Sequence, residues 1–266
     1  MRWVIERLTE DDPFPIALEN NGIQFDEVSV RPFTNEIVGL LEYFPDERVF
    51  VRGPFGIAEG CAMAGLSPVV WTGPELSEKS VQEALGELYL NNDGRSMLIE
   101  DIRNLSSGPI FIKPATDTKE FSGQVIQGED AETWLNNMFR TGYLTDNDRG
   151  MEVFVSSVKK TGCEWRMFVV DGKVITGSCY HQYQRTMPER WVPDAVTEFA
   201  ERVISVYDPL PGYALDIVQV ESGDYKVIEM NTINHAGAYL ADVNLLVPAI
   251  QTVLDNMEMT DEMEMR

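Results

Sequence analysis

The chain has 266 residues, 44% hydrophobic and 24% charged, with a formal net charge of −23 at pH 7 and a sequence pI near 4.3. That composition belongs to a globular protein able to bury its own core in one large or two modest domains. Its acidity disfavours nucleic acid and anionic membranes as partners, and any phosphate-bearing ligand needs a local basic pocket. The three cysteines, Cys61, Cys163 and Cys179, lack paired spacing, which argues against a disulfide framework or a cysteine zinc site. The opening MRWVIERLTEDD lacks the apolar stretch of a secretory signal. No apolar run approaches the roughly 20 residues of a membrane span. The expected location is the cytoplasm of a bacterium or of a phage-infected cell.

Up to about residue 92 the chain alternates short apolar runs with acidic and Gly/Pro punctuation, an α/β pattern. RVFVRGPFG (48–56) reads as a buried strand and a glycine turn, SPVVWTG (67–73) as another strand, and SEKSVQEALGELYL (77–90) as a helix with a Ser cap. NNDG (91–94) is a break and sets the expected boundary between an N-terminal domain, 1–92, and a second domain, 93–256. Beyond it, RSMLIEDIRNL (95–105) reads as a short helix, GPIFIKPA (108–115) and GQVIQG (123–128) as strands around a polar loop, AETWLNNMFRTG (131–142) as an amphipathic helix, and MEVFVSSV (151–158) as a strand. Two hairpins, 163–180 and 212–231, flank a helix at 192–207, and an acidic, Met-rich tail, 257–266, is expected to fray.

The hairpins carry the chemistry. In GYALDIVQVESGDYKVIEMN a two-residue loop at Ser222-Gly223 would place Asp216 directly opposite Glu229, with Asn231 on the same face. Opposed carboxylates repel. A hard cation such as Mg²⁺, which takes one or two carboxylates with phosphate and water oxygens, removes that cost. An ordinary hairpin with a solvated acidic edge has the same spacing. In CEWRMFVVDGKVITGSCY the turn is Asp171-Gly172, which puts Glu164 opposite Cys179 and Arg166 opposite Gly177. Glu164 and Arg166 read either as an exposed ion pair or as site residues with room for a ligand over Gly177. Lys113 ends a strand stopped by Pro114, and Lys119 lies in a hydroxyl-rich loop suited either to phosphate or to plain solvation. No phosphate-loop run and no kinase catalytic loop is present, and the two histidines, His181 and His235, lack metalloprotease spacing.

In this order, a lysine-proline strand end, a loop lysine, two glutamates and then Asp … Glu-x-Asn resemble the ATP-grasp superfamily over about 95–245. FIKPATDTKEFSG and EMNTINHAGAYLADV look like a compact phage and bacterial branch of ATP-dependent carboxylate–amine ligase-like proteins. The resemblance implies an α+β ATP-grasp fold: two α+β lobes, about 93–155 and 156–256, clamp ATP and follow a small α/β domain. It implies that Lys113 and Lys119 meet the phosphates, with Arg95 as a further basic group. Glu152 and the backbone of Phe154 and Val155 would line the adenine, and Glu164 would hold the ribose. Asp216, Glu229 and Asn231 would ligate Mg²⁺. Some relatives carry an arginine two residues before the metal aspartate; here that residue is Ala214. Arg166, His181 and Arg185 are therefore the candidates for the group that assists transfer.

The activity implied is amide formation between a carboxylate and an amine through an acylphosphate, with Mg·ATP converted to ADP and phosphate. The acid and amine, whether amino acid, peptide terminus or modified macromolecule, are left open, as is homodimer formation. A phosphotransferase acting on a non-carboxylate acceptor and a non-catalytic nucleotide-binding protein are the alternatives.

Overall fold

A computed structural model describes residues 1–40, 43–105, 108–115, 121–183 and 185–264. The chain begins with β1 (Arg2–Ile5), α1 (Phe14–Asn20), β2 (Phe25–Glu27), a small ribbon of β3 (Ser29–Val30) and β4 (Ile37–Val38), β5 (Arg48–Arg52), α2 (Gly56–Met63) and β6 (Ser67–Val69). Four of these strands form a parallel sheet in the order β2-β1-β5-β6. Both faces of that sheet are covered, as the unbroken apolar run Val49-Phe50-Val51 requires. Alternation sends Trp3, Ile5 and Phe50 into a core with Phe14, Leu18 and Trp71, and sends Val4, Val49 and Val51 into another with Ile57 and Cys61. The strand expected at 67–73 is shorter, because Trp71 turns into the first core, edge-on to Phe50 at 5.1 Å.

The middle of the chain holds α3 (Glu78–Leu85), β7 (Arg95–Leu98), β8 (Pro109–Pro114), β9 (Gln124–Gln127), α4 (Ala131–Arg140) and β10 (Glu152–Ser157). Its antiparallel sheet has the order β7-β10-β8-β9. Ser77 caps α3, its hydroxyl accepting from Ser80 N–H at 3.3 Å. Segment 95–105 is not the helix its spacing suggested. Arg95–Leu98 is an edge strand on β10, and Ile99–Asn104 is a 3₁₀ turn that buries Ile99 and Ile102. Two apolar residues three apart fit one turn of either helix, and here the strand pairing took the preceding residues.

A third sheet, β13-β12-β11-β14-β15, is built from β11 (Thr161–Val170), β12 (Lys173–Gln182), β13 (Arg185–Glu189), β14 (Gly212–Val220) and β15 (Tyr225–Thr232). Helix α5 (Asp194–Val206) precedes β14, and α6 (Val243–Glu264) follows β15. The tail from 257 therefore continues a helix as far as Glu264 instead of fraying. The start of the chain supports it: Trp3 Nε1 donates to Gln251 at 2.8 Å, and the Met1 ammonium lies 3.0 Å from Glu258. Among the described residues no helix is long and apolar enough to cross a membrane.

By packing, the chain divides into two units. One comprises Met1–Thr72, Cys163–Ile217 and Met230–Arg266; the other comprises Gly73–Gly162 and Val218–Glu229. This division differs from the linear one at residue 92. Residues 1–72 share a core with the C-terminal helix, and the tip of the β14–β15 hairpin belongs with the middle segment.

Candidate functional site

Both hairpins form, and their registers differ from those expected. The β14–β15 loop has three residues, not two. Val220 N–H donates to Asp224 O at 2.9 Å and Gly223 N–H to Val220 O at 2.8 Å, with Gly223 at φ +91°. In the β11–β12 hairpin Asp171 and Gly172 both take positive φ, and Val170↔Lys173 and Val169↔Val174 keep the expected pairing. Irregularities after Phe168 and at Glu164/Trp165 then shift the partners. Arg166 stands opposite Ser178 instead of Gly177, and Glu164 opposite His181 instead of Cys179. The space over Gly177 is filled: a Cβ there would meet Met167 Sδ at 2.5 Å.

These shifts assemble a polar cluster in the first unit. Arg166 on β11 is buried and grips Asp216 on β14 with both prongs, Nε to Oδ1 at 2.8 Å and Nη2 to Oδ2 at 2.6 Å. The exposed ion pair between Glu164 and Arg166 does not form. Arg166 Nη1 donates to Gly237 O at 3.3 Å. Its guanidinium lies 5.6 and 5.2 Å from the ring centroids of Tyr180 and Tyr239, which stack on each other at 4.8 Å. Burial pulls the Arg166 pKa down, but the Asp216 carboxylate more than offsets it and the net shift is upward. Burial, then the charges of Asp216 and Glu164, push the Tyr180 hydroxyl well above its usual value. Asn231 Nδ2 reaches Asp216 Oδ2 at 3.5 Å, and His181 Nδ1 lies 3.3 Å from Glu164 Oε1. Arg185 is exposed on β13, opposite Gln182.

In the second unit, Lys113 on β8 pairs with Glu78 at the start of α3, and Glu229 Oε2 stands 3.8 Å from its ammonium. Tyr89 donates its hydroxyl to Glu78. Burial holds the Glu78 pKa above the usual carboxylate range despite Lys113. Arg95 is exposed at the start of β7, and Glu152 is exposed at the start of β10 opposite Leu98. Phe154 and Val155 have partner strands on both sides, β7 and β8. Their backbone groups are spent on the sheet, and no edge is left to read an adenine. Lys119 lies outside the described residues.

The structure thus brings together Arg166, Asp216 and Asn231 in one cluster, Glu164 and His181 beside it in register, and Lys113 with Glu229 in another. Glu78, Tyr89, Tyr180 and Tyr239 were missed. Tyr180 adjoins His181 in sequence and Tyr239 ends the NTINHAGAY run, but Glu78 gave no signal beyond its place in a capped helix.

Among the described residues no three His, Cys, Asp or Glu side chains gather as a metal site. Asp216 and Asn231, a carboxylate and an amide in one cluster, are donor types that a hard cation takes. Arg166 and Asn231 between them engage both oxygens of the Asp216 carboxylate.

Residues 92–247, more than half of the chain, match the model of the ATP-grasp domain, R2K clade family 2. The chain belongs to that family. It is an ATP-grasp ligase, a nucleotide-binding enzyme with the α+β fold of its class. Among solved structures, D-alanine–D-alanine ligase from Bacillus anthracis is 14% identical, with a TM-score of 0.57 over 97% of this chain and 99% of that one. D-cycloserine synthetase is 15% identical, with a TM-score of 0.57 over 90% and 94%. D-alanyl-alanine synthetase A from Vibrio cholerae is 13% identical, with a TM-score of 0.54 over 94% and 93%. At these identities the likeness is one of fold. No curated protein matches the chain.

Proposed function

We propose that this ATP-grasp ligase joins a carboxylate to an amine through an acylphosphate, releasing ADP and phosphate. The observation that carries the reading lies within the family-matched segment: Asp216 and Asn231 stand 3.5 Å apart at the buried end of the hairpin, with the Arg166 guanidinium fixed beside them. Lys113 and Lys119 offset phosphate charge. Asp216, Glu229 and Asn231 would hold Mg²⁺, which when bound neutralises phosphate oxygens and favours transfer. Arg166, held rigid by Asp216, Gly237 and the stacked tyrosines, presents a fixed positive charge to the anion that develops as phosphate moves. Glu164, beside His181, would take the ribose hydroxyls. Catalysis is positioning and electrostatics, and no side-chain nucleophile is required.

The test is thermal unfolding with ATP and Mg²⁺, with GTP, metal-free and Glu229→Gln controls. Ligand at 100 times its dissociation constant contributes about 2.7 kcal/mol, roughly 5–10 °C for a chain of this size. A shift selective for ATP, dependent on metal and lost in Glu229→Gln supports the site. Its absence at millimolar ATP sinks the reading. Product analysis then separates an amide with free phosphate from a phosphoester.

A further inference from the structure

Strands β11 and β12 break their register beside Arg166. Trp165 stands opposite Cys179 and Glu164 opposite His181, so Tyr180 is one residue more than β11 can match. It is the extra residue of a β-bulge, a device that re-aims side chains next to functional sites. In an unbroken register Glu164 would face Tyr180, and His181 would pass on to Cys163. Period-two alternation would also send the side chains of Tyr180 and His181 to opposite faces of the sheet. Instead their rings lie nearly parallel, at 9° and 6.1 Å between centroids.

The two rings serve different neighbours. Tyr180 stacks on Tyr239 at 4.8 Å and has the Arg166 guanidinium 5.6 Å from its centroid. His181 Nδ1 lies 3.3 Å from Glu164 Oε1. A carboxylate oxygen can only accept, so Nδ1 carries the hydrogen and donates it, whether the ring is neutral or charged. The two side chains are 26% and 16% exposed. That is shelter enough to strengthen the bond and opening enough for a ligand to reach the carboxylate.

We infer that His181 is a positioning residue for the nucleotide, fixing the Glu164 carboxylate in the orientation that takes the ribose hydroxyls. The inference rests on the reading of Glu164 above. A free glutamate side chain gives up rotamer freedom to hold one orientation. An N–H anchor on a ring set beside Tyr180 removes that freedom before the nucleotide arrives, so less affinity is lost in ordering the site. Of the three residues that the sequence offers for assisting transfer, His181 thus serves the ribose and leaves the phosphate to Arg166.

Isothermal titration of the full chain with Mg·ATP and with Mg·2′,3′-dideoxy-ATP tests this, because only the first offers ribose hydroxyls. A hydrogen bond to a charged group is worth about 10–100-fold in affinity, so the wild type should prefer ATP by at least about tenfold. His181→Phe keeps a ring beside Tyr180 and has no hydrogen to donate. It should cut that preference at least about fivefold and leave the affinity for dideoxy-ATP within about threefold of wild type. His181→Asn, whose amide nitrogen falls near the Nδ1 position, should restore the preference to within about threefold. An unchanged preference in His181→Phe, an equal loss for both nucleotides, or no recovery in His181→Asn overturns the positioning role alone. A wild type that binds the two nucleotides alike, or binds neither, overturns the reading of Glu164, and the inference falls with it. Should His181→Phe fail to fold, nitrogen NMR of the labelled wild type, assigned against His235→Gln, decides. A neutral His181 with its hydrogen on Nδ1 supports the role, and one with its hydrogen on Nε2 overturns it.

Discussion

Arg166 and Asp216 form a two-pronged ion pair in the interior, at 2.8 and 2.6 Å, between side chains only 11% and 1% exposed. Removing one partner strands the other charge, which for a buried pair costs about 3–5 kcal/mol. Arg166→Gln and Asp216→Asn should each lower the melting temperature on the order of 6–20 °C. Replacing both with apolar residues of similar volume should recover much of that loss, because both desolvation costs disappear together. The four-member cycle, read by thermal or urea unfolding, measures the coupling. Single variants that melt with the wild type would show the pair to be open to water.

Lys113 and Lys119 should separate binding from turnover. Lys113→Ala removes a half-buried cation from between Glu78 and Glu229. It should therefore abolish stabilisation by Mg·ATP and also lower the stability of the free protein, since Glu78 stays buried without its partner. Lys119→Ala should keep the ATP-dependent shift and lower ADP release on the order of 10²-fold, the cost of losing one positioned donor to the transition state. Thermal shift and ADP release, measured side by side, decide. Equal turnover in Lys119→Ala would remove that residue from the mechanism.

Glu78 should give the protein a pH dependence of defined sign. Its folded-state pKa is raised above the ordinary carboxyl value of 4.5, first by burial. The folded protein then holds this proton more tightly than the unfolded chain. Below about pH 4.5 the carboxyl is neutral in both states and its contribution is fully present. As pH rises through the folded value that stability is lost and then stays lost. Glu78→Gln cannot titrate. The stability of wild type minus that of Glu78→Gln should therefore be flat in acid and fall as pH rises from about 4.5. A difference that rises with pH instead would mean that Lys113 outweighs burial.

What the sequence disclosed and what it hid divide along contact range. Asp171-Gly172 and Ser222-Gly223 mark their turns locally, and both hairpins are where those residues place them. The irregularities that slide Arg166 from Gly177 to Ser178 leave no local mark, because they are settled by what Met167 and Arg166 pack against: Gly177 on the facing strand and Asp216 on the neighbouring one. The partnership of Lys113 with Glu78 spans 35 positions, and a capped helix gives no hint that its first acid faces a strand. Arg95–Leu98 was ambiguous for a different reason: an edge strand of four residues has too little period to be told from a helical turn.

Asn234 offers the sharpest test of how the segment after β15 is held. Its amide is fully buried and used on both sides. Nδ2 serves the carbonyls of Val51 and Val69, while Oδ1 accepts from Trp71 N–H at 2.9 Å and from the Thr232 hydroxyl at 3.2 Å. Alanine would leave at least one buried donor and one buried acceptor unmet, each worth about 1–3 kcal/mol. Asn234→Ala should thus cost roughly 2–5 kcal/mol in unfolding free energy. Asn234→Asp should cost more at neutral pH than in acid, since the ionised carboxylate would face two carbonyl oxygens with no proton to give, whereas the protonated form can donate to one of them. Urea unfolding of both variants at pH 5 and pH 8 checks the ranking. If the aspartate variant were as stable at pH 8 as at pH 5, the amide would not be sealed between the two strand ends.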